Sequence, residues 1–160
     1  MSYIGTKIIN AEPMTRGAYN IFRGWAIPPD ERAEEAGFLV EYLDGGKPNL
    51  ASHAGYVTWT PKEAFDKAYR PQDAMTFGLA IEAMRKGLKV ARAGWNGKGM
   101  WIGLVAGDQW GLGSNAPFDY SGAPFGSMLP WIGMKTADEK FVPWLASQSD
   151  MLAEDWQIVN

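Results

Sequence analysis

The segment ARAGWNGKGMW, residues 91–101, gathers Arg92, Trp95, Asn96 and Lys98 among three glycines. Glycine with basic residues is the composition of a phosphate cradle, whereas tryptophan beside glycine is that of a stacking surface. A Walker-type loop requires two glycines five apart, followed at once by Lys and a hydroxyl residue, so that backbone amides wrap the phosphates. Gly94, Gly97, Lys98 and Gly99 lack that spacing, and Met100 stands where the metal-binding hydroxyl belongs. Stacking is the better match. Trp95 and Trp144, the latter in VPWLASQSD, are both placed at strand ends. Two such rings could sandwich a purine, each stack contributing about 1–3 kcal/mol. Pro143 has no amide to give to a sheet ladder, which puts its strand at an edge and Trp144 near a rim. Arg92 and Lys98 could meet phosphates, and the amides opening a short helix at Ser147 would favour an anion. By strand alternation Arg92 shares a face with Val90, while Trp95 lies opposite unless Gly94 introduces a bulge. Arg92 is equally readable as a surface cation, and Asn96 with Gly97 as turn chemistry alone.

Catalytic sets are harder to find. His53 is the sole histidine and has no nucleophile motif beside it, so a hydrolytic triad has no base. The adjacent acids Asp138 and Glu139, and Glu154 and Asp155, have the character of exposed turns and helix ends. No cluster of His, Asp and Glu has metal-ligand spacing. Three readings stay open: a binding module, a hydrolase using acids such as Asp150 or Asp155, and an interaction module whose tryptophans bury a protein interface.

The composition narrows the setting. With 46% hydrophobic and 21% charged residues in 160, the chain has the make-up of one ordinary folded domain or two small ones. A net charge of −3 argues against a protein that coats duplex nucleic acid. No apolar run is long enough to span a membrane, and MSYIGTKIIN lacks the basic start and apolar core of a signal peptide. The absence of cysteine excludes disulfides and thiolate metal sites. Eight tryptophans are an unusually large supply of planar contact area.

The elements that must position these residues divide near AYRPQDAM, residues 68–75. Before it, in 1–70, strands are predicted at 7–9, 38–42 and 55–59, and a short helix at 61–69. Turn signals lie at 28–30 and 44–46, and ERAEE at 31–35 reads as a solvated loop or helical turn. After it, Thr76 caps a helix whose apolar face is Phe77, Ile81, Met84 and Leu88, with Glu82 set to pair Lys86 and Gly87 as the stop. Strands follow at 88–95 and 100–105, joined through Asn96 and Gly97, then at 131–136 and 140–145. Ser147 and Asp150 form a capping-box start to a short helix, and 156–159 closes as a last strand. The expected fold is α+β: an antiparallel sheet wrapped against one main helix, preceded by a small, mostly-β N-terminal module. The glycine- and aromatic-rich stretch 107–129 reads as a lid or binding loop.

Two long segments, MTFGLAIEAMRKGLKVARAGWNGKGMWIGL (75–104) and MKTADEKFVPWLASQSDMLAEDWQIV (134–159), closely resemble the second Thoeris anti-defence family of small phage proteins. The resemblance covers about residues 75–160. It implies a non-enzymatic sponge in the host cytoplasm, assembled as a homotetramer with pockets between subunits. Such sponges sequester cyclic ADP-ribose isomers made by bacterial TIR-domain immune proteins, and some members also bind cyclic dinucleotides. No cofactor is implied. Matched motif by motif, Trp95 would stack on a base and Trp144 would form a second aromatic wall. Asn96, Lys98, Ser147, Gln148 and Asp150 would be polar contacts. The sequence departs from the family pattern at Glu139, where glycine is common, and mildly at Ser149, where threonine is. Residues 1–70 resemble a phage accessory module of unknown activity.

Overall fold

The computed structural model describes residues 1–3, 5–95, 99–107 and 129–160, and these fall into two compact units, Met1–Arg70 and Pro71–Asn160. The first unit is a three-stranded antiparallel sheet of β1 (Ile9–Pro13), β2 (Gly37–Tyr42) and β3 (Tyr56–Pro61), in that spatial order. Two helices accompany it, α1 (Arg16–Arg23) and α2 (Lys62–Ala68). Leu39 sits between Glu12 and Trp59 across the ladder and joins Tyr19 and Val57 in a small core. The first strand starts later than the predicted 7–9, because pairing with Phe38 to Tyr42 draws residues 9–13 into the ladder.

Helix α1 was not anticipated, and its reason is local. The Thr15 hydroxyl accepts from the Ala18 amide, and Gly24 at φ +70° ends the helix with its own amide and that of Trp25 returned to the last carbonyls. Gly17 allows close approach: a Cβ there would lie 3.0 Å from both Ala33 Cβ and the Ala33 carbonyl oxygen. The 31–35 segment is a turn, as expected, but two of its acids are engaged, with Glu31 and Glu35 both gripping Arg16 at 3.0 and 2.8 Å.

In the second unit, α3 (Phe77–Arg85) lies on a five-stranded antiparallel sheet. Its strands are β4 (Lys89–Arg92), β5 (Trp101–Val105), β6 (Trp131–Lys135), β7 (Phe141–Pro143) and β8 (Trp156–Val159), in the order β7-β6-β5-β4-β8. The four earlier strands form a meander, and β8 returns to lie beside β4 through a short helix, α4 (Gln148–Met151). The Pro143 strand is an edge, as its missing amide requires. Thr76 caps α3 and Gly87, at φ +82°, follows its end.

The buried face of α3 is centred on Ala80, Ala83 and Met84, with Phe77, Leu79, Ile81 and Leu88 flanking it. The small alanines bring the helix close to Val90 and Ile102, both fully buried on the facing side of the sheet. Glu82 pairs with Arg85 at 3.1 Å, one residue short of the expected Lys86. Among the described residues no helix is long and apolar enough to cross a membrane.

Candidate functional site

Strand β4 ends at Arg92, earlier than predicted, and this decides where Trp95 goes. Ala93 leaves the ladder with its amide on the Asp155 carbonyl, 3.0 Å away, and the chain turns so that the Trp95 amide meets the Arg92 carbonyl at 3.3 Å. The turn releases Trp95 from strand alternation and sets it against the α3 side of the sheet, where it packs on the main core. Trp144 reaches the same place from the other edge, its amide held by the Ile132 carbonyl at 2.9 Å.

Both rings rest on Trp156. This side chain is fully buried, and its indole N–H donates to the Asp150 carbonyl at 3.0 Å. Ring centroids lie 5.5 Å apart for Trp95 and Trp156, 6.0 Å for Trp144 and Trp156, and 5.3 Å for Phe77 and Trp156. Trp95 and Trp144 also meet each other, at 6.1 Å and 64°. A base sandwiched between two rings needs them parallel with a ring's thickness between. Touching edge-on, these two indoles leave no such slot within one chain, and a planar ligand would lie against an outer face of the cluster.

Arg92 is the electrostatic centre of the region. Its Nε donates to Asp155 at 2.7 Å, and one terminal nitrogen donates to Asp150 at 3.1 Å. Asp155, with Asp150 second, holds the guanidinium more firmly protonated than usual. Arg92 in turn lowers the Asp155 carboxyl below its ordinary value. Burial acts to raise Asp150, but hydrogen bonds from the Ser147 hydroxyl and amide, and then Arg92, carry it below the ordinary value. Ser147 and Asp150 form the expected capping box, each satisfying the other's amide. The Arg92 charge is therefore already matched inside the chain, and the Asp150 amide of α4 is already capped. Gln148 is exposed at the start of that helix.

A cavity of about 420 Å³ opens beside this cluster, lined in part by Arg92, Trp95, Trp101, Lys135 and Gln157. It exceeds the lower bound for small-molecule sites. Trp101 and Lys135 are cross-strand partners in the β5–β6 ladder. They lie on the face turned away from α3, since the neighbouring pair Ile102 and Met134 packs into the helix-side core. Trp101 meets Phe141 edge-on at 5.4 Å and carries the Lys89 ammonium 5.2 Å above its ring. The Lys135 ammonium donates to the Gly99 carbonyl at 3.2 Å and to Glu139 at 2.6 Å.

The structure thus brings Arg92, Trp95, Trp144, Ser147 and Asp150 into one region at the β4 end of the sheet. Asn96 and Lys98 lie outside the described residues, as does 108–128, the bulk of the 107–129 loop. Sequence reasoning passed over Trp101, Lys135, Gln157 and the Trp156 hub. Alternation around Ile102 and Leu104 would have set Trp101 on the opposite face, but its meeting with Lys135 depends on register.

Comparison with known proteins falls on this same unit. Residues 75–159 match the family model described as the Thoeris anti-defense 2-like domain. The protein Thoeris anti-defense 2 of Bacillus phage SP01 is 44% identical over 90 residues, covering 54% of this chain and 96% of that relative. The chain belongs to the Thoeris anti-defense 2-like family.

Proposed function

We propose that the protein is a phage-encoded sponge that acts in the cytoplasm of the bacterial host. It binds cyclic ADP-ribose signals made by TIR-domain enzymes and holds them without cleavage, blocking Thoeris immunity. The observation that carries this reading is the propped aromatic cluster of Trp95, Trp144 and Trp156, of which Trp95 also lines a cavity that presents Lys135. Aromatic faces receive a base, and a cation in the cavity that Trp95 lines receives a pyrophosphate. Trp95 and Trp144 are the aromatic contacts, with Arg92, Asn96, Lys98, Ser147, Gln148 and Asp150 supplying or positioning polar contacts. Cyclic dinucleotides are a second class of ligand for the same protein.

Binding is favoured over hydrolysis by the state of the acids. Asp150 and Asp155, the carboxylates a hydrolase would use, are both bound to Arg92 and shifted below the ordinary carboxylate value. A general acid at neutral pH requires the opposite shift.

Assembly of several copies, a homotetramer in this reading, is supported by apolar surface concentrated in 141–152. Phe141, Leu145, Met151 and Leu152 are exposed at 50%, 93%, 48% and 82%. Surface of that kind marks an interface. With no sandwich among the described residues, a neighbouring copy is the natural source of a wall facing Trp95 or Trp144.

The test is heat release. The protein is incubated with a cyclic ADP-ribose isomer, freed of unbound ligand, denatured by heat, and the supernatant is separated by chromatography. Unaltered ligand is expected; a hydrolysed product would show an enzyme instead.

A further inference from the structure

The first unit contains a cavity of about 550 Å³, lined among others by Arg16, Asn20, Arg23, Trp25, Glu31 and Tyr56. Helix α1 that forms one wall has its amphipathicity reversed. Arg16, Tyr19, Asn20 and Arg23 recur at the spacing of one helical face, and this is the face turned to the cavity and to β3. The apolar Ile21 and Phe22 are instead 76% and 41% exposed. A helix that only packs against a sheet places its apolar residues inward. This one turns inward the side chains that bind.

Two features of that face are unspent. Asn20 is only 6% exposed, and its Nδ2 is enclosed with no hydrogen-bond partner among the described residues. An enclosed amide donor without a partner is costly unless something meets it. Arg23 lies 4.4 Å over the Trp25 ring and donates to the Tyr19 hydroxyl at 3.1 Å, but no carboxylate among the described residues pairs with it. Arg16 provides the contrast, with Glu31 and Glu35 both on its guanidinium and the Trp59 ring 4.2 Å away. The cavity therefore has a cationic end at Arg23 and an acceptor end at Glu31. Trp25 and Tyr56, exposed at 52% and 43%, supply ring faces at its rim.

We propose that this cavity is a second ligand site, separate from the one in residues 71–160. It takes a small planar ring that carries an oxyanion at one end and an N–H donor at the other. The oxyanion lies on Arg23 and the Asn20 amide, the ring on Trp25 or Tyr56, and an N–H of the ring or of its amino group points to Glu31. A nucleoside monophosphate and an indole or purine carboxylate share this chemistry.

The experiment uses the full chain labelled with fluorotryptophan, with the Trp25 signal assigned by Trp25→Phe and followed by fluorine NMR. Adenosine monophosphate, indole-3-carboxylate, adenosine and inorganic phosphate are titrated separately. Saturable movement of the Trp25 signal is expected with one or both of the ring-bearing anions, and the one that binds identifies the source of the oxyanion. Arg23→Gln should weaken that binding about 10- to 100-fold, the usual result of losing a charge-assisted hydrogen bond. Asn20→Asp, which sets a carboxylate where the amide stood, should do the same. Trp95→Leu in the second unit should leave the Trp25 titration unchanged, so failure here is distinguishable from failure of the sponge reading. A Trp25 signal unmoved by both ring-bearing anions, or moved equally in the Arg23→Gln chain, would overturn the proposal. Equal affinity for inorganic phosphate would also overturn it, leaving a simple anion contact.

Discussion

The Trp95 and Trp144 indoles touch edge-on, 6.1 Å between centroids and 64° between planes, over the buried ring of Trp156. The contact ties the end of β4 to the sheet edge beyond β7. It also gives the two rings a structural duty beside the proposed binding one, because both pack on the core. Perturbing a ring therefore moves stability and affinity together, and the two must be measured separately.

Trp156→Ala should cost about 3–5 kcal/mol, the range for truncating a large buried aromatic. It also removes the hydrogen bond to the Asp150 carbonyl that anchors α4. Trp95→Ala, at a partly buried position, should cost less stability while abolishing ligand binding. Urea unfolding of the two variants gives the stability terms, and calorimetric titration of the folded Trp95→Ala chain gives the binding term. Wild-type affinity in folded Trp95→Ala would remove Trp95 from the site.

The Arg92 cluster gives stability a dependence on pH. Both Asp150 and Asp155 have folded-state values below their unfolded ones, so their contribution is complete above the unfolded value, about 4. It is lost as pH falls through the lowered folded values. Arg92→Met should flatten this acid limb and lower stability at neutral pH, where two carboxylates then face each other unpaired. Thermal melting of both chains from neutral pH downwards checks this. An unchanged difference in melting temperature at every pH would show that the ion pairs contribute nothing.

Glu139 adopts φ +64°, a conformation that glycine takes without strain. The left-handed backbone costs a non-glycine residue about 1–2 kcal/mol. Glycine would return part of that through the freedom of the unfolded chain and through loss of the exposed Lys135 pair. Glu139→Gly should therefore stabilise the chain by about 0.5–1 kcal/mol, read from the denaturation midpoint. It should also free Lys135 at the cavity mouth and strengthen binding of an anionic ligand. Lower stability would mean that the Lys135–Glu139 pair outweighs the strain.

Much of the second unit was legible because its patterns are local. Thr76 and Gly87 bracket α3, the spacing of Ser147 and Asp150 announces α4, and Pro143 marks an edge. What was not legible depends on contacts distant in sequence. Trp156 becomes the hub only because β8 returns beside β4, and Trp101 meets Lys135 only through the β5–β6 register. Trp95 escapes strand alternation through a turn whose amide is held by Asp155, far along the chain. Helix α1 was hidden for another reason: its inward face is polar, so the apolar period that reveals a helix is absent.

Leu145 and Leu152, the most exposed apolar side chains of 141–152, test assembly. Leu145→Asp with Leu152→Asp should reduce the assembly to smaller species without unfolding the chain, measured by size-exclusion chromatography with light scattering. An unchanged molar mass would place the interface elsewhere.

The central claim, capture without cleavage, is tested most directly by one native mass spectrum. The protein is exposed to a cyclic ADP-ribose isomer, and the intact assembly and then the ligand ejected from it are weighed. The expected result is an oligomer carrying the ligand at its original mass, with the same mass recovered on ejection. Recovery of a ligand heavier by one water, or an assembly that carries no ligand, would contradict it.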